Sequence, residues 1–333
     1  MRGPGAARPR AARPSRGPEP TGVLNINKPA GLTSHDVVDA VRAILGIRRV
    51  GHTGTLDPHA TGVLPLCVGR ATKIAQYLTQ ADKEYLITMR LGVTTDTLDG
   101  AGKVLTRVAD LHVSAGDVEA ILPRFQGAIL QTPPLFSAKR IGGERLYRLA
   151  RRGETVERKP VPLTIHSLKL LDVAMPDVRL LVACSKGTYA RALCDDIGRA
   201  LGCGAHLHQL VRTRAGRFEI GTAVDLDTLR RLVEAGRLSE VLMPVSEALV
   251  HLPAIRIGPE FTRLILQGSG IPAGAVVAFP PELGRGATVR VLGLRGQLLC
   301  LAEAMLGRED LPGPDPRRIA FTPTRVLPWV AGA

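Results

Sequence analysis

The sequence predicts a globular fold that mixes strands with helices and divides into two domains, and three observations predict it. The chain has 333 residues, 45% of them hydrophobic, which is enough to bury a substantial core and more than one domain's usual length. Residues 84–92, "EYLITMRLG", alternate in the manner of a strand with one buried face. Residues 37–45 instead repeat their apolar positions at helical spacing, with Val37, Val41, Ile44 and Leu45 along one side. No apolar run reaches the roughly 18 residues of a membrane span, and the N-terminus lacks the apolar centre of a secretory signal, so a soluble cytoplasmic protein is expected.

The elements follow in order. Residues 1–20 carry five arginines among prolines and glycines with no large apolar residue except Met1, and are expected to be a disordered basic tail. "TGVLNINKPAG" reads as a short strand running into a Pro-Gly turn. The helix after it is capped by Thr33 or Ser34, with Asp36 near its positive end. A helix is expected through "ATKIAQYL". The strand at 84–92 then puts Tyr85, Ile87, Met89 and Leu91 on one face and Leu86, Thr88 and Arg90 on the other, so that Tyr85 heads an apolar face. In "SAGDVEAILPRF", Ser114 and Asp117 form a capping-box pattern, and Pro123 is expected to cut the helix short or kink it. Residues 127–160 are the densest basic segment of the folded part, with Phe136 and Tyr147 interleaved, as in a segment that grips RNA; a solvated charged surface is the plainer alternative. An apolar strand through Val182 enters "CSKGTY", and the next helix carries Arg191, which stands four residues before Asp195 and suits either a surface pair with it or a buried carboxylate elsewhere.

The charge asks for a partner. The formal balance is +14, with 36 arginines against eight lysines. Arginine's planar fork binds phosphate and stacks on bases, so an excess of this kind points to nucleic acid. A GC-rich coding sequence explains the preference for arginine over lysine but not the net charge. Five cysteines without a CxxC pair suit free thiols in a reducing compartment and offer no zinc site.

The stiffest stretch is "GHTGTLDPHATGVLP", residues 51–65, built around the single carboxylate of Asp57. Its glycines permit close backbone approach, and Pro58 pushes Asp57 out of helical geometry. On this evidence alone Asp57 is an ordinary Asp-Pro turn residue.

Five stretches in this order, "NKPAGLTSHDVV", "GHTGTLDPHATGVLPLCVG", "LGVTTDTLDGAG", "PPLFSA" and "SKGTYARALCDDIG", together resemble the TruB family of tRNA pseudouridine synthases over residues 22–250. The resemblance implies an α+β fold: a mixed, largely antiparallel pseudouridine-synthase sheet with flanking helices in a catalytic domain over 21–250, and a small PUA-like β-barrel domain over 251–330. It implies isomerisation of uridine 55 in the T-loop of tRNA to pseudouridine, through cleavage of the glycosidic bond, rotation of the base and reattachment at C5, by a monomer needing no metal or cofactor. Asp57 is then the nucleophile and Arg191 its partner, which outweighs pairing with Asp195. Tyr85 stacks on the uracil as a catalytic residue, and His52, Tyr189, Leu210 and Lys28 form the substrate-binding group: His52 at the T-loop, Tyr189 and Leu210 lining the uracil pocket, Lys28 supporting the active-site loop. Val211 and Gly142 stand where the family more often has arginine and Asn or Asp, which touches RNA contacts more than chemistry. A tRNA-folding chaperone independent of catalysis and a guide-RNA-dependent ribosomal RNA enzyme are the alternatives.

Overall fold

The computed structural model describes residues 19–137, 140–146, 149, 152, 154, 156–311 and 315–327. Residues 1–18 of the basic tail, Tyr147, Arg148 and Arg151 lie outside the described residues. Its centre is a ten-stranded sheet in the order β14-β1-β3-β12-β4-β11-β10-β7, with β2 paired to β3 and β13 to β12. In chain order the first strands are β1 (Gly22–Lys28), β2 (Val50–His52), β3 (Thr61–Val68) and β4 (Lys83–Leu91). A side hairpin of β5 (Val93–Thr95) and β6 (Val104–Arg107) precedes β7 (Gly127–Gln131). The two-stranded β8 (Arg140–Ile141) and β9 (Glu144–Arg145) lead to the long β10 (Val161–Ala174) and β11 (Asp177–Cys184). Then come β12 (Ala205–Ala215), β13 (Phe218–Glu219) and β14 (Leu242–Met243). Only the β3–β12 pairing is parallel, so the sheet is mixed and largely antiparallel.

The helices close its faces. Helix α1 (Ser34–Leu45) starts with the Thr33–Asp36 capping box and stops at Gly46 in left-handed geometry. Over "ATKIAQYL" the expected helix is a 3₁₀ turn, Gly69–Ile74, running into a short α2 (Ala75–Thr79). Buried Ala71 and Ile74 are three apart, a spacing that a 3₁₀ turn and an α-helix both allow. Helix α3 (Ala115–Ile121) has the Ser114–Asp117 capping box and gives way to a 3₁₀ turn containing Pro123. Helix α4 (Ala190–Ala200) buries Leu193 and Ile197 against the strand face of Ile87, Met89 and Leu91. Strands β1 and β3 are buried on both sides: Leu24, Ile26, Leu64 and Leu66 pack on α1, while Val23, Val63 and Cys67 face the C-terminal unit.

That unit is a nearly closed, six-stranded, barrel-like sheet made of β15 (Ala254–Ile257), β16 (Ile271–Pro272), β17 (Val276–Ala278), β18 (Thr288–Leu292), β19 (Leu298–Ala304) and β20 (Ile319–Val326). It has its own core around Ile255, Val291 and Phe321. Leu298, Leu301 and Leu327 also pack into the cluster of Val23, Val63 and Cys67, so the junction between the two sheets is itself apolar. Among the described residues no helix is long and apolar enough to cross a membrane.

Candidate active site

The loop between β2 and β3 carries Asp57, and two buried cations hold it from opposite ends. Lys28, at the end of β1, donates from Nζ to the carbonyls of Pro29 (2.9 Å), Pro58 (3.0 Å) and Ala60 (2.7 Å). Arg212, on β12, donates from Nη2 to the carbonyl of Gly54 (3.1 Å), from Nη1 to that of Thr55 (3.5 Å) and from Nε to that of Val63 (2.6 Å). Between these anchors, Ser34 of α1 exchanges hydrogen bonds with the backbone of Leu56, accepting at 2.8 Å and donating at 3.0 Å. Backbone polar groups that would otherwise be orphaned in a buried loop are thereby satisfied, and the loop cannot shift without uncovering them. Gly62 makes the approach of β12 possible: at φ +100°, a Cβ there would sit 2.3 Å from the carbonyl oxygen of Arg212.

Asp57 emerges from this frame with its side chain about one-third exposed and meets Arg191 in the first turn of α4. Nε of Arg191 is 3.0 Å from Oδ2, and Nη2 donates to Oδ1 at 3.5 Å, a two-pronged approach to one carboxylate. The rest of the guanidinium is also fixed. Nη2 donates to the carbonyl of Phe136 (2.8 Å), and Nη1 donates to that of Thr97 (3.1 Å) and lies 3.6 Å from Oδ2 of Asp99. Asp195 pairs instead with Arg199, and its burial raises its pKa. The start of α4 is oriented by buried Gln131, whose amide accepts from the Tyr189 N–H (2.8 Å) and donates to the Tyr189 carbonyl (3.1 Å).

The other sequence-predicted residues sit on β2, β4 and β12 and at the start of α4, apart from Lys28 at the end of β1. Tyr85 lies opposite Arg212 across the β4–β12 ladder, and burial raises its phenol pKa. Leu210 is opposite Ile87 and packs in the cluster that contains Leu56 and Tyr85. Tyr189 is the residue before α4, half-buried, its phenol pKa also raised by burial. His52 closes β2 opposite Leu66, five residues ahead of Asp57. Lys28, expected to support the active-site loop, is fully buried beneath it and touches its backbone carbonyls, so any reach to a substrate is through the backbone it holds. Desolvation by that burial lowers its pKa to about 8. Phe136 contributes a carbonyl to Arg191, and Arg152, expected to grip phosphate, is paired with Glu144 and Glu154.

Sequence reasoning missed Arg212, Asp99 and Gln131. Asp99 sits in "TDTLDGAG", a motif quoted above without a role for its carboxylate. Its Oδ1 accepts from the Thr97 hydroxyl (2.6 Å) and the Ala101 N–H (3.1 Å), and Oδ2 is 3.5 Å from Nε2 of His59. Asp57, His59 and Asp99 offer three ligand atoms within 4.8 Å of one another, but the Arg191 guanidinium already supplies positive charge to both carboxylates.

Comparisons with known proteins accord with this geometry. Among solved structures, a chain of a Cbf5–Nop10–Gar1 complex aligns with a TM-score of 0.76 at 29% identity, over 92% of this chain and 84% of that one. A chain of an H/ACA RNP bound to a substrate RNA containing 2′-deoxyuridine gives 0.74 at 27% identity, with the same coverage. Residues 42–190 match the family model of the TruB family pseudouridylate synthase N-terminal domain, and residues 191–250 match that of the tRNA pseudouridylate synthase B C-terminal domain. The tRNA pseudouridine synthase B of Stutzerimonas stutzeri is 44% identical over 286 residues, 85% of this chain and 91% of that protein. That of Symbiobacterium thermophilum is 47% identical over 253 residues, 75% and 83% of the respective chains. The fold is thus that of a pseudouridine synthase, an enzyme that isomerises uridine. Within that class, the chain belongs to the TruB family.

Proposed function

We propose that the protein converts uridine 55 in the T-loop of tRNA to pseudouridine, with Asp57 as the nucleophile. The observation that carries this is the Asp57–Arg191 pair at 3.0 Å, which joins a loop carboxylate to a guanidinium that is 93% withdrawn from solvent. A weak carboxylate nucleophile gains most from being pre-positioned, and the pair supplies that while Lys28 and Arg212 fix the backbone beneath it. The target base is everted from its stack, with His52 at the T-loop, Tyr85 against the uracil and Tyr189 and Leu210 lining its pocket. Bond cleavage at N1, rotation and rejoining at C5 conserve every atom, so no external reactant is required. We assign residues 21–250 to the catalytic domain and 251–330 to a PUA-like domain that grips RNA, in a cytoplasmic monomer.

A second reading, guide-RNA-dependent modification, is the one to set against it, since a chain of an H/ACA RNP bound to a substrate RNA shares the fold. A bare T-arm stem-loop separates the two. Site-resolved chemical mapping should show pseudouridine at the T-loop uridine without any guide RNA, and an unmodified T-arm alongside modification that requires a guide overturns the proposal. The chaperone reading is separated by tRNA refolding with an Asp57→Asn chain, which measures folding without chemistry.

A further inference from the structure

Two carboxylates share one guanidinium. Nε of Arg191 stands 3.0 Å from Oδ2 of Asp57, and Nη1 of the same side chain stands 3.6 Å from Oδ2 of Asp99. Charge that Arg191 spends on Asp99 is withheld from Asp57, and two like charges this close disfavour each other's ionised form. Asp99 therefore needs a second donor. Its Oδ1 has the Thr97 hydroxyl at 2.6 Å and the Ala101 N–H at 3.1 Å, but Oδ2 is approached only loosely, by Arg191 and by Nε2 of His59 at 3.5 Å.

His59 has no part in the reading above, yet it stands two residues after Asp57. Its backbone is clamped on both sides, since Lys28 holds the carbonyls of Pro58 and Ala60. The imidazole is partly exposed, but Nε2 itself is buried and makes no hydrogen bond. A ring nitrogen of His59 and an oxygen of each carboxylate, Asp57 and Asp99, all lie within 4.8 Å of one another. A bare lone pair aimed at a carboxylate oxygen repels it, whereas an N–H attracts it. We propose that His59 is a positioning residue for the reaction: its Nε2–H serves Oδ2 of Asp99, which leaves the charge of Arg191 to Asp57. This deepens the functional reading above and rests on it. Glutamine can put an amide N–H where Nε2 stands, while leucine fills the space and offers no donor.

The test uses the full chain, with tRNA dissociation constants and single-turnover rates at saturating tRNA for wild type, His59→Leu and His59→Gln, each with Asp99 intact and with Asp99→Asn. His59→Leu should slow single turnover about fivefold or more while changing tRNA affinity less than about twofold, and His59→Gln should bring the rate back to within about twofold of wild type. In the Asp99→Asn background His59→Leu should add almost nothing, because the charge it acts through is gone. A wild-type rate in His59→Leu, a slowing that His59→Gln shares in full, an effect confined to affinity, or an equal slowing in both backgrounds overturns the proposal. Should a variant fail to fold or turn over too slowly to time, ¹⁵N spectra of the wild-type imidazoles decide. Nε2 of His59 should read as a protonated ring nitrogen, and a bare Nε2 overturns the proposal. Wild type that leaves the T-arm uridine unmodified instead defeats the functional reading itself, which keeps the two failures distinguishable.

Discussion

Replacing Arg191 tests the pairing at the heart of the site. Its guanidinium reaches Asp57 through two nitrogens, at 3.0 and 3.5 Å, and the carbonyls of Phe136 and Thr97 at 2.8 and 3.1 Å. Two unit charges about 4 Å apart interact by about 4 kcal/mol at an effective dielectric constant of about 20. Arg191→Met removes that charge and should slow single turnover about 10³-fold. Arg191→Lys keeps the charge but has a single nitrogen for acceptors that lie on different sides of the fork. Losing one charged hydrogen bond costs about 2 kcal/mol, so a slowing of about 30-fold is the least expected, and more follows if Asp57 rotates. Arg191 is buried, with its nitrogens taken up by Asp57, Phe136, Thr97 and Asp99, so tRNA affinity should hold within about threefold. Rapid-quench mapping of pseudouridine at saturating tRNA, with filter-binding affinity alongside, measures both quantities. An Arg191→Lys enzyme within about threefold of the wild-type rate would refute the pairing as a catalytic device.

Three further outcomes follow from the frame around the pair. The pKa of Lys28 falls to about 8 in the folded chain from 10.5, so between those pH values the unfolded chain holds the proton that the folded chain has lost, and this group's contribution to stability rises with pH across the window. The stability gap between wild type and Lys28→Met should widen by up to about 1.4 kcal/mol per pH unit in thermal melts taken between pH 8 and 10; a gap that narrows contradicts the assignment. Gly62→Ala places a Cβ 2.3 Å from the Arg212 carbonyl oxygen at a φ of +100°, and should destabilise the chain by about 3 kcal/mol or more in denaturant titration, since backbone on both sides blocks relief. Arg152→Ala should leave the salt dependence of tRNA binding nearly unchanged, because its charge is already met by Glu144 and Glu154; a slope lower by about one unit would show it on a phosphate.

Much of this was legible in the sequence. The capping box at Ser114, the alternating face headed by Tyr85 and the break at Pro123 depend on local chemistry, and each is where the sequence puts it, while of the two caps it allowed before α1 the structure uses Thr33. The 3₁₀ start of "ATKIAQYL" was less visible, since Ala71 and Ile74 fit either helix type until packing chooses. At the site, five ordered motifs marked Asp57 and Arg191, but local spacing paired Arg191 with Asp195, four residues away, and only the fold brings Asp57 across 134 positions. Arg212 was hidden for a similar reason. On a strand of a strongly basic chain it reads as one more surface cation, and nothing in the local pattern reveals that β3, with Gly62, and β4 enclose it. Lys28 was named as loop support, but its complete burial depends on the Pro58 and Ala60 carbonyls folding back over β1.

The central claim, that Asp57 is a nucleophile in a frame built without its help, is tested most directly by Asp57→Asn. Lys28, Arg212 and Ser34 hold the loop through backbone groups, so the amide side chain should leave the melting temperature and tRNA affinity close to wild type. Pseudouridine at the T-loop uridine should then be undetectable in a single-turnover reaction at saturating tRNA. Turnover by Asp57→Asn within about a hundredfold of wild type would contradict the claim and move the nucleophile elsewhere in the cleft.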